Sequence, residues 1–134
     1  MLKSYKELKV WQKAYQLCLE FYRLSKSFPE EEKYGLTAQI RRSAVSIPSN
    51  IAEGYGRKNK KEYIQALYVG YGSLCELETQ ALLASDLGYI HEQDFGKLSA
   101  NLAEVERMLK ALINSLKEKP LNPKPLGPLD PSVC

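Results

Sequence analysis

Apolar residues recur at alternating steps of three and four along two long stretches of the chain. The first stretch contains Tyr63, Leu67, Gly70, Leu74, Leu77, Ala81 and Ala84. The second stretch contains Phe95, Leu98, Leu102, Val105, Leu109, Leu112 and Leu116. These steps place every member of a series on one face of an α-helix, and such regularity is typical of helices that pack against other helices. Because no segment alternates with a period of two, the sequence predicts an all-α fold.

Turn-forming residues divide the chain into four predicted helices. Their ranges are 5–28, 33–53, 59–88 and 92–119. Pro29 ends the first helix, Gly54 and Gly56 close the second, Asn59 caps the third, and Gly88 ends it. Four helices with short connections pack most simply as an antiparallel up-down-up-down four-helix bundle.

The first predicted helix carries two adjacent apolar rows. They are Leu8, Trp11, Tyr15, Cys18 and Tyr22, and Val10, Ala14, Leu17, Phe21 and Leu24. Two adjacent rows make a wide apolar stripe. We therefore expect this helix to contact neighbours on two sides.

A proline and two glycines interrupt the predicted second and third helices. Pro48 removes one backbone hydrogen bond, but the apolar series continues to Ile51, so we expect a kink there and not an end. Gly70 and Gly72 each lower helix propensity by about 1 kcal/mol relative to alanine. Close approach of another backbone would explain both glycines.

Length and composition favour one domain with a tail. The 134 residues suffice for a single domain, which we place at 1–119. Residues 120–134 contain five prolines, so we expect an extended or disordered Pro-rich tail. A ligand for a proline-reading domain is the alternative reading of this tail.

The sequence favours a cytoplasmic location. Charged residues occupy the N-terminus where a signal peptide needs an apolar run. Three widely spaced cysteines, an odd number, are typical of free thiols in a reducing compartment. No run approaches the 18 apolar residues of a membrane span, so we expect no membrane association.

The basic charge is concentrated in the middle of the chain. Residues 39–61 hold six basic residues against one acidic residue, whereas residues 62–119 hold five against nine. The six candidates for nucleic-acid contact are Arg41, Arg42, Arg57, Lys58, Lys60 and Lys61. In an antiparallel pair Arg42 lies about 18 Å from Gly54, so the six form no compact patch in a monomer.

Two alternatives remain open for these charges. A ring of subunits would repeat them around one rim and attract a polyanion. A solvated turn with intramolecular ion pairs to the acidic half is the structural alternative. Across the bundle, we expect Arg41 or Arg42 to pair with Glu62 or Glu76.

Tyrosines near the turn could stack bases or pack between helices. They are Tyr55, Tyr63, Tyr68 and Tyr71.

No pattern typical of catalysis or metal binding occurs. His91 is the single histidine, and Cys18 and Cys75 lie apart in apolar rows. Neither zinc-ligand spacing nor a Glu-x-x-His pair is present, and no phosphate-binding glycine loop is found. We therefore expect no catalytic residue, no metal and no cofactor.

Two segments carry a family resemblance. Residues 5–11 read YKELKVW and residues 39–54 read QIRRSAVSIPSNIAEG. Shorter matching segments lie at 62–63, 72–73, 76–78 and 87–90. The chain resembles the bacterial four-helix-bundle proteins named after the intervening sequences of 23S ribosomal RNA genes, over residues 5–116.

The resemblance implies a small bundle that assembles into rings, commonly pentamers. A more distant similarity is to the accessory subunit of diversity-generating retroelements, a pentameric basic bundle that binds RNA and a reverse transcriptase. We therefore expect a non-enzymatic homo-oligomer that acts as a scaffold or adaptor. The alternative is an accessory subunit that binds RNA or a nucleic-acid enzyme.

Overall fold

The computed structural model describes residues 2–118 and contains four α-helices in that range. They are α1 (Lys9–Ser25), α2 (Leu36–Tyr55), α3 (Lys60–Asp86) and α4 (Glu92–Lys117). Short 3-10 turns at Tyr5–Glu7 and Glu30–Glu32 precede α1 and α2. No strand occurs within residues 2–118, so the predicted all-α fold is confirmed. The predicted Pro-rich tail at 120–134 lies outside the described residues.

Each helix packs against the next one in sequence, and α4 packs back against α1. The pairs run antiparallel. Between α2 and α3, for example, Ser73 lies beside Ser46 while Gly54 lies beside Tyr63. This arrangement confirms the predicted four-helix bundle. One end, called the turn end below, holds residues 2–8, the connection between α2 and α3, and the end of α4.

The first two helices begin later than the sequence predicts. The Tyr5–Glu7 turn and an extended Leu8 (φ −72°, ψ 126°) delay the start of α1. At the other end of the bundle, Glu32 Oε1 accepts a hydrogen bond of 3.0 Å from the Leu36 N–H, which satisfies one of the free donors of α2. The start of α2 is thus set by the acidic turn before it.

Side-chain and glycine caps define the ends of α3 as predicted. Asn59 Oδ1 accepts a hydrogen bond of 2.8 Å from the Glu62 N–H, the usual N-cap contact. Gly88 has a φ of 82°, a left-handed conformation that glycine adopts without strain. The Tyr89 N–H then bonds the Ala84 carbonyl at 2.9 Å, which is the long hydrogen bond of a Schellman motif.

The end of α2 corrects one prediction. Gly54 is buried inside the last turn of α2, so it does not close the helix. Gly56 is the C-cap, and its N–H donates to the Ala52 and Glu53 carbonyls. The helix continues through Pro48 as predicted, and the bend at this residue remains a prediction.

Gly54 allows α2 and α3 to approach closely. A Cβ atom at Gly54 would lie 2.9 Å from Tyr63 Cδ1 and 3.0 Å from Ala66 Cβ. A Cβ atom at Gly70 would lie 3.4 Å from Asn50 Cβ and 3.6 Å from the Ile47 carbonyl oxygen, which are ordinary contact distances. A Cβ atom at Gly72 would meet nothing within 4 Å, so no backbone within residues 2–118 explains that glycine.

The core is built from one stripe of each helix. The largest fully buried side chains are Phe21, Ile40, Ile47, Ile51, Leu67, Leu74, Leu77, Leu98, Val105, Leu109 and Ile113. On α1 the row containing Val10 and Phe21 faces this core, whereas the row containing Trp11 and Tyr15 is half-buried or exposed at the surface. α1 contacts both α2 and α4, so the predicted contacts on two sides are confirmed, and Leu8, Trp11 and Cys18 of the second row pack partly against the core.

Leu74 and Leu109 are fully buried, each with 0% exposure. We expect Leu74→Ala or Leu109→Ala to lower the free energy of unfolding by about 2–5 kcal/mol, because each leaves a cavity. Denaturant titration at fixed protein concentration measures the change. Leu82→Ala, at a half-exposed position on another face of α3, is the control. Equal effects of all three variants would contradict the packing.

Gly54→Ala is expected to destabilise the bundle despite the better helix propensity of alanine. The new methyl group would push against Tyr63 and Ala66, an overpacking that costs about 1–3 kcal/mol. Gly96→Ala, which places its methyl group in open space, is the matched control. Thermal unfolding followed by circular dichroism compares the two, and a Gly54→Ala variant as stable as Gly96→Ala would refute the close contact.

Candidate functional site

The six predicted nucleic-acid-binding residues fall into two groups. Lys58 lies in the connection after α2, Arg57 precedes it, and Lys60 and Lys61 begin α3. Arg41 and Arg42 lie in the first half of α2. Thirteen residues of helix separate Arg42 from Tyr55 at the end of α2, which corresponds to about 20 Å. The structure therefore does not bring the six residues together.

Arg57 makes ion pairs within its own turn. Its guanidinium lies 3.5 Å from the carboxylate of Glu53 and 3.8 Å from that of Glu62. All three side chains are about half exposed, so solvent screens the pairs and each contributes little to stability. The pairs nevertheless balance the charge of Arg57. They also line one side of an open cleft of about 480 Å³ between α2 and α3.

The lysines of the turn are more accessible than Arg57. Lys58, Lys60 and Lys61 are all exposed. Within residues 2–118, Lys58 and Lys61 have no ion pair or hydrogen bond from their side chains. Of the six residues predicted to contact nucleic acid, the lysines of the turn are the cations best placed to contact an external anion.

The fold adds three lysines that the sequence analysis missed. The Tyr55 hydroxyl donates a hydrogen bond of 3.2 Å to the Leu2 carbonyl, so the N-terminal segment lies against the end of α2. Lys3, Lys6 and Lys9 are exposed in and beside this segment. The sequence contained a signal for them, because the start of α1 meets the end of α2 in any antiparallel pair.

The two ends of the bundle carry opposite charge. Residues 2–9, 53–62 and 117–118 at the turn end hold eight basic and four acidic residues. Residues 26–37 and 86–94 at the other end hold two basic and six acidic residues. The acidic residues of that end are Glu30, Glu31, Glu32, Asp86, Glu92 and Asp94. A polyanion would therefore be attracted to the turn end and repelled by the opposite end.

Arg41 does not make the ion pair that the sequence analysis expects. Its Nε atom donates a hydrogen bond of 2.8 Å to Ser25 Oγ, and Nη2 donates one of 3.3 Å to the Tyr22 carbonyl. The guanidinium also lies over the Tyr22 ring at 4.8 Å from its centroid. Arg41 thus joins α2 to the end of α1, and it is not available as a separate anion contact.

Arg42 and Glu76 line the same polar groove between α2 and α3. Their charged atoms form no ion pair within 4 Å, so the predicted pair is absent as well. Between them Ser73 Oγ donates a hydrogen bond of 2.7 Å to Ser46 Oγ. Arg42 faces solvent on a side surface of the bundle, away from the lysines of the turn.

The tyrosines near the turn pack between helices. The rings of Tyr55 and Tyr63 meet edge to face at 6.3 Å, and the Tyr68 hydroxyl accepts a hydrogen bond from Lys117. Tyr71 is buried, and its hydroxyl donates to Glu106 Oε2 at 3.1 Å. Burial and this hydrogen bond raise the pKa of Tyr71 to about 12. The packing alternative for these four residues fits the structure.

An aromatic groove lies between α1 and α2, close to the turn end. Tyr15 stacks on Trp11 with ring centroids 5.1 Å apart, and Tyr5 meets Trp11 edge-on at 5.2 Å. Pro48 and the 40%-exposed Val45 form the α2 wall. This feature, with a volume of about 280 Å³, is called the aromatic groove below.

Two surface features that contain exposed apolar side chains lie on helices at diagonal corners of the bundle. The α3 stripe consists of Val69, Gly72, Glu76, Leu83 and Leu87. The α1 patch consists of Tyr15, Leu19 and Tyr22, all partly exposed. Because α1 and α3 do not contact each other, the two surfaces face in different directions.

The part of the chain that the structure describes provides no evident centre for metal chemistry. Its His, Cys, Asp and Glu side chains form no group of three or more that could hold a metal ion. None of α1 to α4 is long and apolar enough to cross a membrane.

Comparisons with known proteins identify the family. A crystal structure of a protein with unknown function from the S23 ribosomal protein family of Bacteroides thetaiotaomicron has the same fold. Its TM-score is 0.73 at 24% sequence identity, over 78% of this chain and 95% of that chain. None of the curated proteins matches this chain. Residues 6–111 match the family model for the 23S rRNA-intervening sequence protein, and the chain therefore belongs to this family.

Proposed function

We propose that the protein is a non-enzymatic homo-oligomer that acts as a scaffold or adaptor, and that its copies meet through the α3 stripe. The observation that carries this proposal is Gly72. It lies in the middle of α3, it is exposed, and a Cβ atom there would meet nothing within 4 Å. A glycine in a helix costs about 1 kcal/mol relative to alanine, and contacts within residues 2–118 do not offset that cost.

The neighbours of Gly72 support a protein contact. Val69, Leu83 and Leu87 are 53%, 48% and 50% exposed. They share one helical face with Gly72 and Glu76, so that the glycine forms a shallow gap between exposed side chains. Exposed apolar side chains that share one face of a helix are typical of interaction sites. A second backbone could approach α3 closely at Gly72 while the leucines pack on either side.

The α1 patch is the surface that we pair with the α3 stripe. A contact between two different surfaces is heterologous, and heterologous contacts generate rings when the rotation closes. The diagonal positions of α1 and α3 leave one surface of each copy open for the next copy. This geometry supports the ring, commonly a pentamer, that the family resemblance implies.

Gly72→Arg is expected to dissociate the oligomer. The arginine side chain would fill the gap in the α3 stripe without any clash inside the bundle. Gly96→Arg introduces the same residue at another exposed helical glycine with open space around it, and is the matched control. Sedimentation velocity at micromolar concentration measures the mass of each variant.

The parent chain and Gly96→Arg are expected to sediment as the same oligomer, and Gly72→Arg as a monomer with unchanged helical content. A monomeric parent chain would refute the proposed function. An oligomer that persists in Gly72→Arg would refute the assignment of the α3 stripe as the contact.

Binding of RNA or another polyanion is the second candidate function. The separation of charge between the two ends of the bundle favours it, because it gathers accessible lysines at the turn end. A cyclic assembly would repeat this end in every copy, and several weak phosphate contacts would then act together. In this reading the protein is an accessory subunit that holds RNA or a nucleic-acid enzyme.

Replacing Lys58, Lys60 and Lys61 with glutamine is expected to weaken binding of a structured RNA. Each lost phosphate contact lowers the slope of log affinity against log salt concentration by about 0.9. Fluorescence anisotropy at several salt concentrations measures this slope. Glutamine at Lys26, Lys33 and Lys97, away from the turn end, removes the same charge and is the matched control. Absence of binding at low salt, or equal losses in both variants, would refute this candidate.

A further inference from the structure

We propose that residues 119–134 of this chain dock into its own aromatic groove. The groove is an aromatic and aliphatic surface that nothing within residues 2–118 covers: Tyr15 is 44% exposed and Val45 is 40% exposed. Trp11, which stacks on Tyr15 and meets Tyr5 edge to face, also lines it. Tyr15 also belongs to the α1 patch, so a second copy is the competing occupant, and the experiments below distinguish it from the segment.

The chemistry of the segment matches the groove. Residues 119–134 contain five prolines and three leucines but only three charged side chains. Three Pro-x-x-Pro spacings occur, at 120–123, 125–128 and 128–131. Aromatic-lined grooves recognise this spacing, because a polyproline II strand repeats every three residues and loses little entropy on binding. In this proposal the segment is the proline-rich ligand, and the groove is the aromatic surface that binds it.

The length of the segment and the place where α4 ends allow the contact. α4 ends at Lys117, at the turn end, which is the end of the bundle where Tyr5 lines the groove. Sixteen residues in the polyproline II conformation reach about 50 Å. Neighbouring helix axes in a bundle lie about 8–10 Å apart, so the segment can pass around α1 and still follow the groove along its length.

The attachment of the segment to α4 favours it over a second copy as the occupant. A tethered segment has an effective concentration of about 1 mM or higher at a site within its reach. A groove on another molecule must be found by diffusion at the concentration of the protein. A weak proline contact is therefore sufficient to keep the groove filled by its own chain.

Trp11 is the chain's single tryptophan, and its fluorescence therefore reports on the groove alone. In the full chain we expect the triple variant Leu121→Asp, Leu126→Asp and Leu129→Asp to shift Trp11 emission to longer wavelength and to increase quenching by acrylamide. The triple variant Asn122→Asp, Gly127→Asp and Ser132→Asp adds the same charge to the same segment. This control is expected to keep the parent spectrum.

A variant of the groove tests the contact from the other side. Val45→Asp, outside the core, is expected to expose Trp11 in the full chain. Adding the three leucine substitutions, called the leucine variant below, should then cause no further change. Such non-additivity is the signature of two sites in direct contact. A synthetic peptide of residues 119–134 should bind the leucine variant at least about tenfold more tightly than it binds the same variant carrying Val45→Asp.

Two outcomes would overturn the proposal. The first is Trp11 emission that is the same in the parent chain and in the leucine variant. The second is that the parent chain and the leucine variant no longer differ once both also carry Gly72→Arg. Such a result would mean that a second copy in the oligomer, and not the segment, covers the groove. A difference that persists at every protein concentration supports docking of the segment within its own chain.

Discussion

Gly54 lets the end of α2 lie against α3 with no room for a side chain between the two helices. This contact determines the position of the connection after α2, because a helix pair that is closely packed to its end leaves only a few residues for the turn. The lysines that follow Gly56 are consequently held at the end of the bundle. The same contact buries Ser73 and brings it beside Ser46, so the groove between α2 and α3 is polar.

The proposed functions depend on helix faces that do not contribute to the core. Core residues occupy one stripe of each helix, and several apolar side chains of α1 and α3 lie on the remaining faces. The helix-propensity cost of Gly72 is not offset by any contact within residues 2–118. The aromatic groove, built where Tyr5 and Trp11 meet α2, shares Tyr15 with the α1 patch.

The distribution of charge on the surface follows from the arrangement of the helices and not from position along the chain. The sequence presents residues 39–61 as one basic segment, but α2 carries Arg41 and Arg42 away from the turn. Arg41 is joined to Ser25 by a hydrogen bond, and Arg57 is balanced by Glu53 and Glu62. The fold instead brings Lys3, Lys6 and Lys9 to the turn end. The accessible positive surface is therefore a different set of residues from the one that the sequence suggests.

Patterns in the sequence are sufficient to predict the fold class, the number of helices, the caps at Asn59 and Gly88, and the buried stripes of α3 and α4. These features depend on local spacing and backbone preference, which a linear pattern expresses directly. The partners of Arg41, the burial of Gly54 within α2 and the open space at Gly72 follow from the packing of the helices. The same packing sets which face of α1 is buried. Each of these depends on contacts between residues far apart in the chain, and only the arrangement of the helices in space specifies them.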